Sequence, residues 1–139
     1  MEIKKKVLFV EDEVISSMNI GDMLEFWGYD ICTPATSAEE AIAITEAEKP
    51  DIVLLDIKLQ GGMNGIELAG EIKKRLDVPI IFMTGYLNRG FKEKAAAFKP
   101  VAYLIKPFEL NELKSALESA CRSPRSYSSS SANRASNSP

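Results

Sequence analysis

Apolar residues fall along this chain in two alternating rhythms. Val7-Leu8-Phe9-Val10, Ile52-Val53-Leu54-Leu55, Ile80-Ile81-Phe82-Met83 and Val101-Ala102-Tyr103-Leu104-Ile105 are unbroken runs, too short for helices and without polar alternation. Such runs read as strands of a parallel sheet covered on both faces. A weaker run, Tyr29 to Thr33 beside Pro34, suits an edge strand. Between these runs the spacing turns helical. Ile20, Met23, Leu24 and Trp27 share a face that Gly28 closes as a C-terminal cap. Ser37-Ala38-Glu39-Glu40 has the form of a capping box, and Pro50 stops the helix that it starts near Lys49. Asn64 caps a helix that buries Ile66, Ala69, Ile72 and Leu76. Phe91, Ala95 and Phe98 follow a cap at Asn88, with Gly90 costing about 1 kcal/mol relative to alanine. Leu110, Leu113, Leu117 and Cys121 form the last stripe. Five strands alternate with five helices, and right-handed crossovers must put helices on both faces of the sheet. The expected fold class is α/β, a doubly wound five-stranded parallel sheet in a three-layer sandwich.

Four of the strands end in polar residues: Glu11-Asp12, Asp56, Thr84 and Lys106. Parallel strands carry these ends to one edge, the edge where open α/β sheets bind ligands. Three carboxylates gathered there repel one another, and desolvation raises the cost. A divalent cation relieves it. Oxygen donors without histidine or cysteine point to Mg²⁺, which keeps waters and seeks phosphate oxygens. With a hydroxyl and a lysine nearby, the set makes a phosphoryl site in which Asp56 can attack phosphorus. Gly61, Gly62 and Gly65 are turn glycines rather than a phosphate cradle, because neither the Walker spacing nor a Gly-x-Gly-x-x-Gly run is present.

The totals narrow this further. A chain of 139 residues has room for one domain and one core. Its net charge is −3, but residues 1–122 carry 15 bases against 20 acids, or −5. An acidic domain is a poor electrostatic partner for nucleic acid. No apolar run approaches membrane-spanning length, and Met1-Glu2-Ile3-Lys4-Lys5-Lys6 lacks the apolar stretch of a secretory signal. Cys32 and Cys121 have no metal-ligand spacing and read as buried or incidental thiols of a reducing cytoplasm. Histidine is absent, which removes histidine-based catalysis and any phosphohistidine relay within this chain. Residues 123–139 hold eight serines and two prolines, with almost nothing to bury, and are expected as a disordered tail or linker remnant beyond a domain of residues 1–122.

Five segments follow one another along the chain: Val10-Glu11-Asp12-Glu13, Leu54-Leu55-Asp56-Ile57, Met63-Asn64-Gly65, Met83-Thr84-Gly85 and Tyr103-Leu104-Ile105-Lys106-Pro107-Phe108. In that order they resemble the receiver domain of two-component response regulators, the CheY-like superfamily, over about residues 5–121. The resemblance implies a flavodoxin-like strand order of 2-1-3-4-5. It implies that Asp56 accepts phosphate from a histidine kinase or phosphotransfer protein. Mg²⁺ would sit on Asp12, Asp56 and the Lys58 carbonyl, with Glu11 reaching it through water. Thr84 and Lys106 would bind the phosphoryl oxygens, and Tyr103 would be the aromatic switch. A cis bond at Lys106-Pro107 is implied as well. Output would pass to an effector protein or domain, or through a homodimer, by the face of the fourth helix, fifth strand and fifth helix.

The chain departs from the family pattern in two places. Glu11 stands where aspartate is more common, and the loop Leu59-Gln60-Gly61-Gly62-Met63-Asn64-Gly65 is one residue longer than the commonest form and lacks its proline. Lys58 and Tyr86 hold positions that influence phosphoryl lifetime in the family. Two other readings compete with the switch. A phosphate-independent adaptor of the same fold would not need the intact acids, Thr84 and Lys106. An aspartate-nucleophile phosphatase of the haloacid dehalogenase type needs a second acid two residues after the first, where this chain has Lys58.

Overall fold

The computed structural model describes residues 4–11, 14–59, 63–85 and 89–122, with the backbone alone for 14–18 and 89. The Asn88 cap, Tyr86, Gly61, Gly62 and the serine-rich tail lie outside the described residues. Strands β1 (Lys6–Val10), β2 (Asp30–Ile31), β3 (Ile52–Asp56), β4 (Ile80–Thr84) and β5 (Ala102–Ile105) alternate with helices α1 (Val14–Phe26), α2 (Ala38–Glu48), α3 (Gly65–Arg75), α4 (Arg89–Ala96) and α5 (Leu110–Arg122). All strand pairs are parallel and the sheet order is β2-β1-β3-β4-β5. This is the doubly wound, flavodoxin-like sandwich that the sequence predicts.

The pleat divides the sheet's side chains between two cores. Leu8, Val10, Val53, Leu55, Ile80 and Phe82 face α2, α3 and α4. Val7, Phe9, Ile52, Leu54, Ile81, Met83 and Leu104 face the layer of α1 and α5. Every residue of β3 and β4 is buried, as expected for central parallel strands. β2 is shorter than the Tyr29–Thr33 run. It pairs only through Lys6–Asp30 and Val7–Ile31, after which Pro34, which has no N–H, precedes a single bridge from Val10 to Ala35.

The helix ends follow local chemistry. Gly28, at φ +95°, completes a Schellman motif in which the Tyr29 N–H donates to the Leu24 carbonyl and that of Gly28 to the Glu25 carbonyl. Asn64 forms a full capping box with Glu67. The box at Ser37 is only half made: its hydroxyl accepts from the Glu40 N–H, but the Glu40 carboxylate reaches back to Thr36 instead. In α5, Leu113 and Leu117 are buried with Ala116 and Ala120, whereas Leu110 is 50% exposed and Cys121 is exposed. The buried stripe is therefore narrower than the leucine spacing suggests. Leu68 of α3 is fully buried, while Leu76 is half-buried beyond the helix end.

Candidate functional site

Counting by twos along the pleat explains which strand ends meet. From Val7 and Phe9 the count reaches Glu11, from Ile52 and Leu54 it reaches Asp56, and from Ala102 and Leu104 it reaches Lys106. All three belong to one side of the sheet at its C-terminal edge. Backbone bonds pin them there. The Glu11 N–H donates to the Ala35 carbonyl at 3.1 Å, and the Lys106 N–H donates to the Thr84 carbonyl at 2.8 Å. The Lys106 ammonium donates to Glu11 at 2.8 and 3.2 Å and to Asp56 Oδ2 at 2.9 Å. The remaining oxygen of Asp56, Oδ1, accepts from the Lys58 N–H at 2.9 Å. Lys106-Pro107 is cis.

The acids are held where charge is costly. Glu11 is 1% exposed and Asp56 5%. Burial first, and then its contact with the Asp56 carboxyl, push Glu11 up to about 8 against the pull of the Lys106 ammonium. Burial by itself would lower the Lys106 ammonium, but its bonds to Glu11 and Asp56 outweigh that and raise it. One cation thus serves two buried carboxylates.

Thr84 counts with Ile80 and Phe82 onto the opposite side of the sheet and is buried. It lines a cleft of about 130 Å³ with Ile57, Lys58, Leu59, Asn64 and Phe91. Thr84 therefore borders the Asp56 loop from the other side of the sheet. The Lys58 side chain is exposed, and its backbone N–H is what binds Asp56. Tyr103 stands apart from the cluster. Its ring stacks on Phe82 at 6.1 Å between centroids, and its hydroxyl donates to the Lys92 carbonyl at 3.5 Å. Asp12 lies outside the described residues. Among those that are described, no three histidine, cysteine, aspartate or glutamate side chains gather as a metal cluster. Gly65 reads as a turn glycine from the sequence, yet its backbone packs directly against the Asp56 peptide; its place immediately after the Asn64 cap is the sequence signal for that contact.

The family model of the response regulator receiver domain matches residues 7–118. The chain belongs to this family. This receiver domain is 36% identical over 118 residues to the transcriptional regulatory protein PdtaR of Mycobacterium tuberculosis, covering 85% of this chain and 57% of that protein. With YvrH of Bacillus subtilis, another transcriptional regulatory protein, it shares 37% identity, covering 77% of this chain and 45% of the relative. The chain thus spans about half the length of these curated relatives. Among solved structures, it superposes on the signal receiver domain of a modulated diguanylate cyclase from Desulfovibrio desulfuricans with a TM-score of 0.80 at 32% identity, covering 86% of this chain and 95% of that one. A CheY-like receiver domain protein from Methanospirillum hungatei gives 0.76 at 28%, covering 87% and 100%. No helix among the described residues of the receiver domain is long and apolar enough to cross a membrane.

Proposed function

We propose that this receiver domain is a phosphorylation-operated switch in which Asp56 takes a phosphoryl group from the phosphohistidine of a kinase or phosphotransfer protein. The observation that carries the reading is the double engagement of Lys106, with one ammonium bonded to both Asp56 and Glu11 at the C-terminal edge of the sheet. In the transfer, a bond forms from an Asp56 carboxylate oxygen to phosphorus as the phosphorus–nitrogen bond breaks and the donor imidazole leaves. Lys106 holds Asp56 in place beforehand and neutralises charge on the phosphoryl oxygens afterwards. Thr84, which borders the Asp56 loop, is drawn toward the phosphoryl group and donates its hydroxyl to one of those oxygens.

The donor set fits a hard cation: two buried carboxylates, one pushed well above its ordinary range, and only oxygen ligands. Asp12, Asp56 and the Lys58 carbonyl would hold Mg²⁺, with Glu11 acting through water, and the ion would supply further charge neutralisation for the phosphoryl oxygens. Phosphorylation shifts a two-state equilibrium read at Tyr103 and on the face of α4, β5 and α5, where Ile105 and Leu110 are already exposed. That face passes the signal to an effector or to a second copy. The domain acts in the cytoplasm, turns over no small-molecule substrate, and binds neither nucleic acid nor membrane.

Incubation with acetyl phosphate and Mg²⁺, followed by intact mass measurement, tests this. One added phosphoryl group is expected in the wild type, lost in Asp56→Asn and lost when the metal is chelated. An unmodified wild type, or an adduct that survives Asp56→Asn, refutes it.

A further inference from the structure

The first residue of α3 lies on the peptide that follows the phosphoryl acceptor. A Cβ at Gly65 would fall 2.6 Å from the Ile57 Cα and 2.8 Å from the Asp56 carbonyl carbon, and would overlap the Asp56 carbonyl oxygen outright. These are backbone atoms in the sheet exit and cannot swing aside as a side chain does. Gly65 is not among the positive-φ residues, so an alanine there meets no dihedral penalty. What is missing is space. The contact is also bonded: the Gly65 N–H donates to the Ile57 carbonyl at 2.8 Å, while the Asn64–Glu67 capping box locks the turn just before it.

From this close approach we infer that Gly65 is a positioning residue for Asp56. The inference rests on the phosphoryl-transfer reading above. The Asp56 carboxyl is held from two sides, by the Lys58 N–H at 2.9 Å and the Lys106 ammonium at 2.9 Å. The Lys58 N–H lies one residue beyond the peptide that Gly65 presses on. Any side chain at 65 drives α3 and the Asp56–Ile57 peptide apart, and the carboxyl leaves the geometry set by those two donors. A misplacement of about 1 Å at a reacting group costs up to ~100-fold in rate.

The test compares G65A with two controls in the same helix. In Gly70→Ala the new Cβ meets only the Phe98 ring, at 3.1 and 3.3 Å; Leu68→Ala empties a fully buried site. Each variant is assayed for the rate of phosphoryl uptake from acetyl phosphate at saturating Mg²⁺, and its amide spectrum is mapped without any donor. G65A is expected to slow uptake by ~10- to 100-fold, with shifts concentrated at residues 56–58. Leu68→Ala should lose at least as much thermal stability and keep its rate within about threefold. If G65A is unfolded in buffer, the assay is repeated in trimethylamine oxide, which favours the compact state. Wild-type rate in G65A, equal slowing in Leu68→Ala, or failure to fold even with the osmolyte would each overturn the inference. A wild type that takes up no phosphoryl group sinks the transfer reading instead, and the amide map still decides whether the 56–58 backbone moves.

Discussion

Glu11→Gln removes the charge at the most buried carboxylate of the site while keeping its shape. In the folded protein Glu11 is pushed up to about 8, by burial first and by the Asp56 carboxyl second, from an ordinary value of 4.5. Between those two values the folded state holds a proton that the unfolded chain has released. The stability that Glu11 contributes is therefore fully present below about pH 4.5 and is lost as pH rises towards 8. For a group only 1% exposed, the loss between pH 5.5 and pH 8 is about 2–3 kcal/mol from this residue. The sequence has no histidine, so no other side chain ordinarily titrates across that window. Glutamine resembles the protonated acid, and Lys106 keeps Asp56 at 2.9 Å as its partner. Urea unfolding in the presence of a chelator is the assay. At pH 5.5 the variant should match the wild type to within about 1 kcal/mol, and at pH 8 it should be more stable by about 2 kcal/mol. Added Mg²⁺ should stabilise the wild type more at pH 8 than at pH 6. Parallel pH profiles for the two proteins without metal would refute the claim that Glu11 bears the charge conflict.

Two other expectations need only stability measurements. Asn64→Ala removes one arm of the capping box at the start of α3 and should cost about 1 kcal/mol by denaturant titration; an unchanged midpoint would mean that the box does not hold the helix start. Leu68→Ala should cost about 2–5 kcal/mol because the side chain is fully enclosed, whereas Leu110→Ala, half exposed, should stay within about 1 kcal/mol. Equal losses at the two positions would contradict the burial described for them.

Burial exposes the limit of local pattern. Leucine spacing in α5 puts Leu110 and Cys121 on the stripe with Leu113 and Leu117, but the 13-residue helix is longer than the four-residue strand β5 beside it, and these two positions at its ends are exposed. Glu40 carried the right residue type for a capping box, yet the Thr36 hydroxyl and N–H offered its carboxylate two bonds instead of one. The cut-short β2 has the same kind of cause, since an edge strand is held from one side only.

What sequence settled unaided is whatever depends on neighbours within a few residues: strand and helix periods, Gly28 and Asn64 as caps, and, through right-handed crossovers, the gathering of Glu11, Asp56, Thr84 and Lys106 at one edge. Tertiary structure alone decided how those groups are partnered. That one lysine bonds both acids, that Thr84 sits across the pleat from them, and that Gly65 lies against the Asp56 peptide are distances between segments up to 95 residues apart. Periodicity carries direction but not length, and hydrogen bonds and close approaches are set within a few tenths of an ångström.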